Sequence, residues 1–547
     1  MKHQLYIPFL CATAFLAFSC TNDKKQNPHF PGPPVGMVQG EDISFFGVEL
    51  DDTPLPLTEV ENEQIETSPS ASNYMDYVEN TQFNKQVEVT FSGNKATVAP
   101  SISGVSVNTI GADVSISSSA TGVEYIVKGS TDNGSLSISS PSNVKISLSG
   151  CHVKNPDGSA ISVTSAPYTY IVLASDDNYL EDGFVLKESK KNQDPDDDGA
   201  ANYSIDDLKK QSKQQAKANA SGVKKKKNSI KGTVLTEHNL VFSGRGKLHI
   251  ECNSKSGIRA DEEVVFRPGN VIHVKSHEGK GVSAKTGILV YGGVLNVDAS
   301  NSSKRGISSK GVLAINGGRV CVLSSGGEKC EGIESKGVML LNGGDICVAA
   351  SDDAINSSED LVVNGGRIYA CSSANDGLDA NGNLIINGGT VVVSGGRAPE
   401  CGLDANEEDG FRLYIHGGSV IATGGNHTTP SEKSRQASII YGGALDSTGC
   451  IGVASGEDHP LLTLNLKRNY GKMGGQVLFS SEQIILGSPF TIVKGNAINQ
   501  EDTFFGLTIT PDDSNFRLVE KTDVLKSQVT KIGTFPAPPS DGPMPPQ

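Results

Sequence analysis

Asp353-Ala354-Ile355-Asn356-Ser357 and Asp376-Gly377-Leu378-Asp379-Ala380 are two copies of one pattern. A Gly or Ala precedes an Ile, Val or Leu, then comes a polar residue, then Ala or Ser. Outward from these copies the pattern recurs at Ile258, Val282, Ile307, Ile333 and Leu403. The seven aliphatic anchors are spaced by 24, 25, 26, 22, 23 and 25 residues. Gly-Gly pairs at 292/293, 317/318, 343/344, 365/366, 388/389 and 417/418 fall between them. The stretches around the pairs, such as Leu361-Val362-Val363-Asn364 and Arg319-Val320-Cys321-Val322, alternate as strands do and carry no helical period. A period this short, marked twice by turn residues, is one coil of a stacked β-solenoid per repeat.

Strand alternation sends Val320, Ile346, Ile368, Val391 and Val420 inward in one column. Val322, Val348, Ala370, Val393 and Ala422 form a second. Between them Asn296, Cys321, Cys347, Tyr369, Val392 and Ile421 point outward. The apolar end of that column predicts a cover supplied by the C-terminal region, with a sugar-stacking strip as the alternative. Cys321 and Cys347 become lateral neighbours within disulfide reach, expected as free thiols.

The 547 residues include 62 glycines and no tryptophan, a composition suited to strands joined by tight turns. A formal net charge of -15 argues against nucleic acid, which needs a cationic face. The first twenty residues read as a lipoprotein signal peptide. Lys2 precedes an apolar run over 5–18 that is too short to span a bilayer. Leu16-Ala17-Phe18-Ser19-Cys20 resembles a lipobox, with bulky Phe18 as a departure, and makes Cys20 the lipidation site. Cleavage near Ser19 as an ordinary signal peptide is the alternative. The lipid reading implies a membrane anchor and a place in the cell envelope, on its periplasmic or outer face.

Residues 21–85, rich in proline and acids, are expected as a flexible linker. Residues 86–183 read as a β region that opens the solenoid and forms its first coils. Residues 184–232 are a charged insert. Its Asp194-Pro195-Asp196-Asp197-Asp198-Gly199 begins like a calcium loop but has Ile205 where the closing Glu belongs. Regular coils fill 233–425, and 426–547 predict a small β cap with a proline-rich tail. The cysteines show no zinc spacing, no nucleophile triad stands out, and His273, His277, His416 and His427 look scattered.

Aligning the coils on their anchors exposes two polar columns. Two residues before the anchor stand Ser256, Lys280, Arg305, Glu331, Asp353, Asp376 and Cys401. One residue after it stand Arg259, Ser283, Ser308, Glu334, Asn356, Asp379 and Asp404. The late coils are acidic where the early ones are basic. Carboxylates stacked at coil spacing repel unless a cation lies between them, and calcium accepts six to eight oxygens in loose geometry. Candidate calcium ligands are therefore Asp352, Asp353, Asn356, Asp376, Asp379 and Asp404, with Glu331 and Glu334 as additions. The competing reading is an Asp/Asn ladder that only satisfies turns.

These coils, with Asn364-Gly365-Gly366-Arg367-Ile368 between them, resemble the carbohydrate-binding right-handed parallel β-helix family of secreted bacterial proteins. Its members are similar in fold to polysaccharide lyases and carry calcium. The resemblance covers roughly residues 120 to 425, and the basic early coils and the lysine-rich insert depart from it. It implies an all-β, right-handed parallel β-helix that binds polysaccharide without catalysis. Arg305, Lys310 and Lys336, beside the acidic column, become candidate contacts for acidic, uronate-rich glycans, with neutral glucans as the alternative ligand. Two alternatives stay open: a calcium-dependent polysaccharide lyase, with Lys336 or Lys310 as the base, and a structural adhesin.

Overall fold

A computed structural model describes residues 42–183 and 230–535, apart from 57, 59–62, 444, 446–448, 457–458, 471–473, 498–502, 510, 512–515 and 522–523. The expected signal peptide with its lipidation site Cys20, most of the charged insert and the proline-rich tail lie outside the described residues.

The anchors form one face of a parallel β-solenoid. Ile258, Val282, Ile307, Ile333, Ile355, Leu378 and Leu403 are successive partners in register, as the repeat predicts. Their ladder begins upstream at Ala112–Ser118, Gly134–Ser139 and Ile161–Thr164, passes through Val234–Thr236, and reaches eleven parallel strands. At about 4.8 Å per coil the stack is about 50 Å long. Strands such as Leu361–Val363 and Leu384–Ile386 stack as a second ladder, and Arg367–Ser372 and Thr390–Ser394 as a third. The coils on either side of the insert stack directly on each other, Val163 pairing with Thr236.

Both inward columns are fully buried, and they run in register from coil to coil. The motif glycine follows from this packing. A Cβ on Gly332 would meet Val348 Cγ1 at 2.2 Å, and one on Gly377 would meet Val393 Cγ1 at 2.1 Å. Gly257, Gly281 and Gly306 face Val274, Val297 and Val322 in the same way. Ala354 replaces glycine in the coil whose column residue is Ala370 instead of valine. The small residue is needed wherever a valine methyl fills the space beneath it.

The Gly-Gly pairs are corners whose second glycine adopts a positive φ, 86° at Gly366 and 93° at Gly389. Ahead of the four middle pairs stands an asparagine that joins an exposed ladder, whereas Tyr291 and His416 precede the first and last pairs. Asn342 donates to Asn316 at 2.7 Å, Asn364 to Asn342 at 2.7 Å and Asn387 to Asn364 at 2.8 Å. Asn364→Ala removes one accepted and one donated bond at a solvated corner. It is expected to cost about 1 kcal/mol in denaturant unfolding.

The coils end where Ser419–Gly424 pairs antiparallel with Gly475–Ser480, which also pairs with Ser438–Gly443. A separate five-stranded sheet completes the cap. The cap buries the outward apolar column as expected: Cys321, Cys347, Tyr369, Val392 and Ile421 share one cluster with Leu464, Tyr470 and Phe479. Tyr369 stacks on Phe505 with centroids 3.9 Å apart. Cys321 and Cys347 are laterally paired free thiols.

The expected linker needs correction over its described part. Ile43, Phe46 and Val48 are buried in the same cluster, and Tyr369 Oη donates to Phe46 O at 2.9 Å. Further along, Arg319 pairs with Asp51 at 2.7 Å, and buried Arg267 meets Glu63 at 2.6 Å under the Tyr77 ring. The segment is a strap laid along the outer face of the third ladder. Prolines and acids suggested a spacer, but the apolar Ile43-Ser44-Phe45-Phe46 stretch and specific ion pairs bind it to the coils.

Candidate functional site

The two polar columns come from the first ladder and the turn that leads into it. Glu334, Asn356, Asp379 and Asp404 are consecutive register partners, so their side chains stack along one face. Asp353 and Asp376 sit two residues before their anchors, where the turn folds their carboxylates back onto the same groove. Asp353 Oδ1 accepts the Asp376 amide at 3.1 Å, and Asp376 Oδ1 accepts the Cys401 amide. Asn356 Nδ2 bridges Asp353 Oδ2 at 3.0 Å and Asp379 Oδ2. Thr428 donates to Asp404 at 2.9 Å, extending the column by one position that the period did not reveal.

Carboxylate oxygens of Asp376, Asp379 and Asp404 lie within 4.8 Å of one another. Among the described residues, no basic side chain forms an ion pair with these three or with Asp353; the neighbouring cations are spent on Glu331 and Glu334. Burial, then the charges of the neighbouring acids, pushes the Asp353, Asp376 and Asp379 carboxyls up to about 8. Glu400 is raised by the same two causes. Asp352 lies at the rim, where it accepts from Asn375 Nδ2 at 2.7 Å.

The structure separates the remaining candidates from this group. Glu331 and Glu334, expected as added ligands, are held by Arg305 at 3.0 and 2.8 Å, and Ser308 also donates to Glu334 at 2.8 Å. Both glutamates are therefore neutralised by protein. Arg305, expected to touch glycan, is itself buried between them and is withdrawn from the surface. Lys336 and Lys310 are exposed beside the groove, and Lys336 Nζ stands 2.5 Å from Glu334. The groove thus runs from an internally compensated basic-acidic coil to a set of acids that pair with no basic side chain among the described residues.

Residues 110–213, 208–328, 301–375 and 323–456 match the model of a family described as carbohydrate-binding domain-containing protein. The chain belongs to this family. As a carbohydrate-binding domain protein it has a solenoid whose matched region runs from the first coils through the acidic groove into the cap. The solved structure of a polysaccharide lyase-like protein from C. thermocellum, a gadolinium derivative, is similar at 15% identity. That likeness covers 56% of this chain and 92% of the other, with a TM-score of 0.28. No match is found among curated proteins.

Proposed function

We propose that the protein is a non-catalytic carbohydrate-binding lipoprotein of the cell envelope, anchored through Cys20, that takes acidic polysaccharide on its acidic groove with calcium. The observation that carries this reading is the set of Asp353, Asp376, Asp379 and Asp404, drawn from successive coils and left without a basic partner among the described residues. Their donors fit calcium: carboxylate oxygens, with the Asn356 amide oxygen beside them, and no imidazole. A bound calcium ion would supply positive charge on which sugar carboxylates can bridge. Asp352 and Glu400 line the rim of the same site. Lys310 and Lys336, exposed alongside, add charge for a uronate chain to run against.

The test is incubation of the purified protein with polygalacturonate and calcium, following unsaturated product in the ultraviolet together with gel retardation. Retardation without product, reversed by a chelator, is the expected result. Product formation would replace binding by β-elimination. Neither signal, with a melting temperature that still drops on chelation, would leave calcium a structural role only.

A further inference from the structure

The strap brings a second donor set together, away from the acidic groove and independent of the reading above. His249 and His273 are register partners on adjacent coils of the third ladder, and their outward rings stack with centroids 4.7 Å apart. Asp52 of the strap lies over them. Both its oxygens stand 3.1 Å from His273 Nδ1, and Oδ2 stands 3.5 Å from His249 Nε2. The next residue in the column, Asn296, donates Nδ2 to Asp52 at 2.7 Å, while its buried Oδ1 has no hydrogen-bond partner.

We propose that Asp52, His249 and His273 bind a borderline divalent transition metal of the Zn2+ class, fastening the strap to the coils. Metal bonds of about 2.0–2.2 Å to nitrogen and oxygen put neighbouring tetrahedral donors about 3.3 Å apart. Two of the three donor separations, 3.1 and 3.5 Å, bracket that value. The third, between the imidazole nitrogens, is within 4.8 Å. The half-exposed His249 ring has room to close it and leaves a coordination position open to water. Two imidazoles with one carboxylate select zinc, copper or nickel over calcium, the opposite preference to the all-oxygen groove. Asn296 Oδ1 is a further oxygen beside the set.

The test is calorimetric titration of Zn2+ into the chelator-stripped full chain, in excess calcium so that the groove does not compete. One saturable site is expected, with Co2+ in its place giving visible bands of nitrogen ligation. His249→Ala and Asp52→Ser should each weaken binding about tenfold or more, with far-ultraviolet dichroism unchanged. Asp379→Asn should leave it unaltered. Absence of saturable Zn2+ uptake, or uptake indifferent to both His249→Ala and Asp52→Ser, would overturn the assignment. Each replacement sits on an accessible side chain, so loss of fold does not mask the result.

Discussion

Asp379→Asn is expected to abolish calcium-dependent retention of polygalacturonate while stabilising the calcium-free protein at neutral pH. The carboxyls of Asp353, Asp376 and Asp379 titrate near 8 in the fold, against an ordinary value of 3.8. A raised carboxyl means that the folded state holds its proton longer than the unfolded chain does. Stability from these groups is therefore complete below about pH 4 and is lost as pH rises toward 8. In chelator, the melting temperature should fall across that window, with a few kcal/mol at stake for the coupled set at about 1.36 kcal/mol per pK unit.

Asparagine keeps the shape and the acceptor for Asn356 Nδ2 but removes one charge. The calcium-free slope should flatten and the melting point at pH 8 should rise. Calcium at about a hundred times its dissociation constant should give the wild type about 2.7 kcal/mol and the variant far less. Should Asp379→Asn and the wild type keep parallel pH slopes and equal calcium response, the acids serve only the turns.

Gly377→Ala is expected to cost about 3 kcal/mol, the upper end of overpacking, because the new methyl meets Val393 Cγ1 at 2.1 Å. Val393→Ala in the same chain should recover most of that loss, reproducing the Ala354 and Ala370 arrangement found one coil earlier. Urea unfolding of both single variants and the double variant measures the coupling. A double variant less stable than Gly377→Ala alone would shift the cause to the carbonyl of Gly402, 2.7 Å from the same added atom.

The coils were legible because their period is imposed by stacking. An anchor, a small residue and a Gly-Gly corner recur wherever a coil must lie on the one before it, so the register of Ile258 through Leu403 could be counted. The acidic group was legible for the same reason, since ladder partners at fixed offsets share a face. Which acids lack a basic partner among the described residues was not. That depends on Arg305 folding between Glu331 and Glu334, a choice of side-chain direction that column membership leaves open. His249 and His273 are one coil apart in sequence, but they lie on the third ladder, away from the two anchor-aligned columns that the repeat marks, so His273 looks only scattered. Asp52 could not be joined to them from sequence at all, because it reaches them across more than 190 intervening residues through a strap whose composition resembled a spacer.

That strap carries a further consequence. A solenoid held only by contacts between adjacent coils opens from its ends, one repeat at a time. Here Phe46 is fixed at Tyr369, Asp51 at Arg319 and Asp52 at His249 and His273, so a few residues tie together six coils, in addition to the hold the cap has on Cys321, Cys347 and Tyr369. Fraying of any one of them costs the strap its footing on the rest. The middle of the rod is thereby converted from a chain of nearest-neighbour steps into a single cooperative unit.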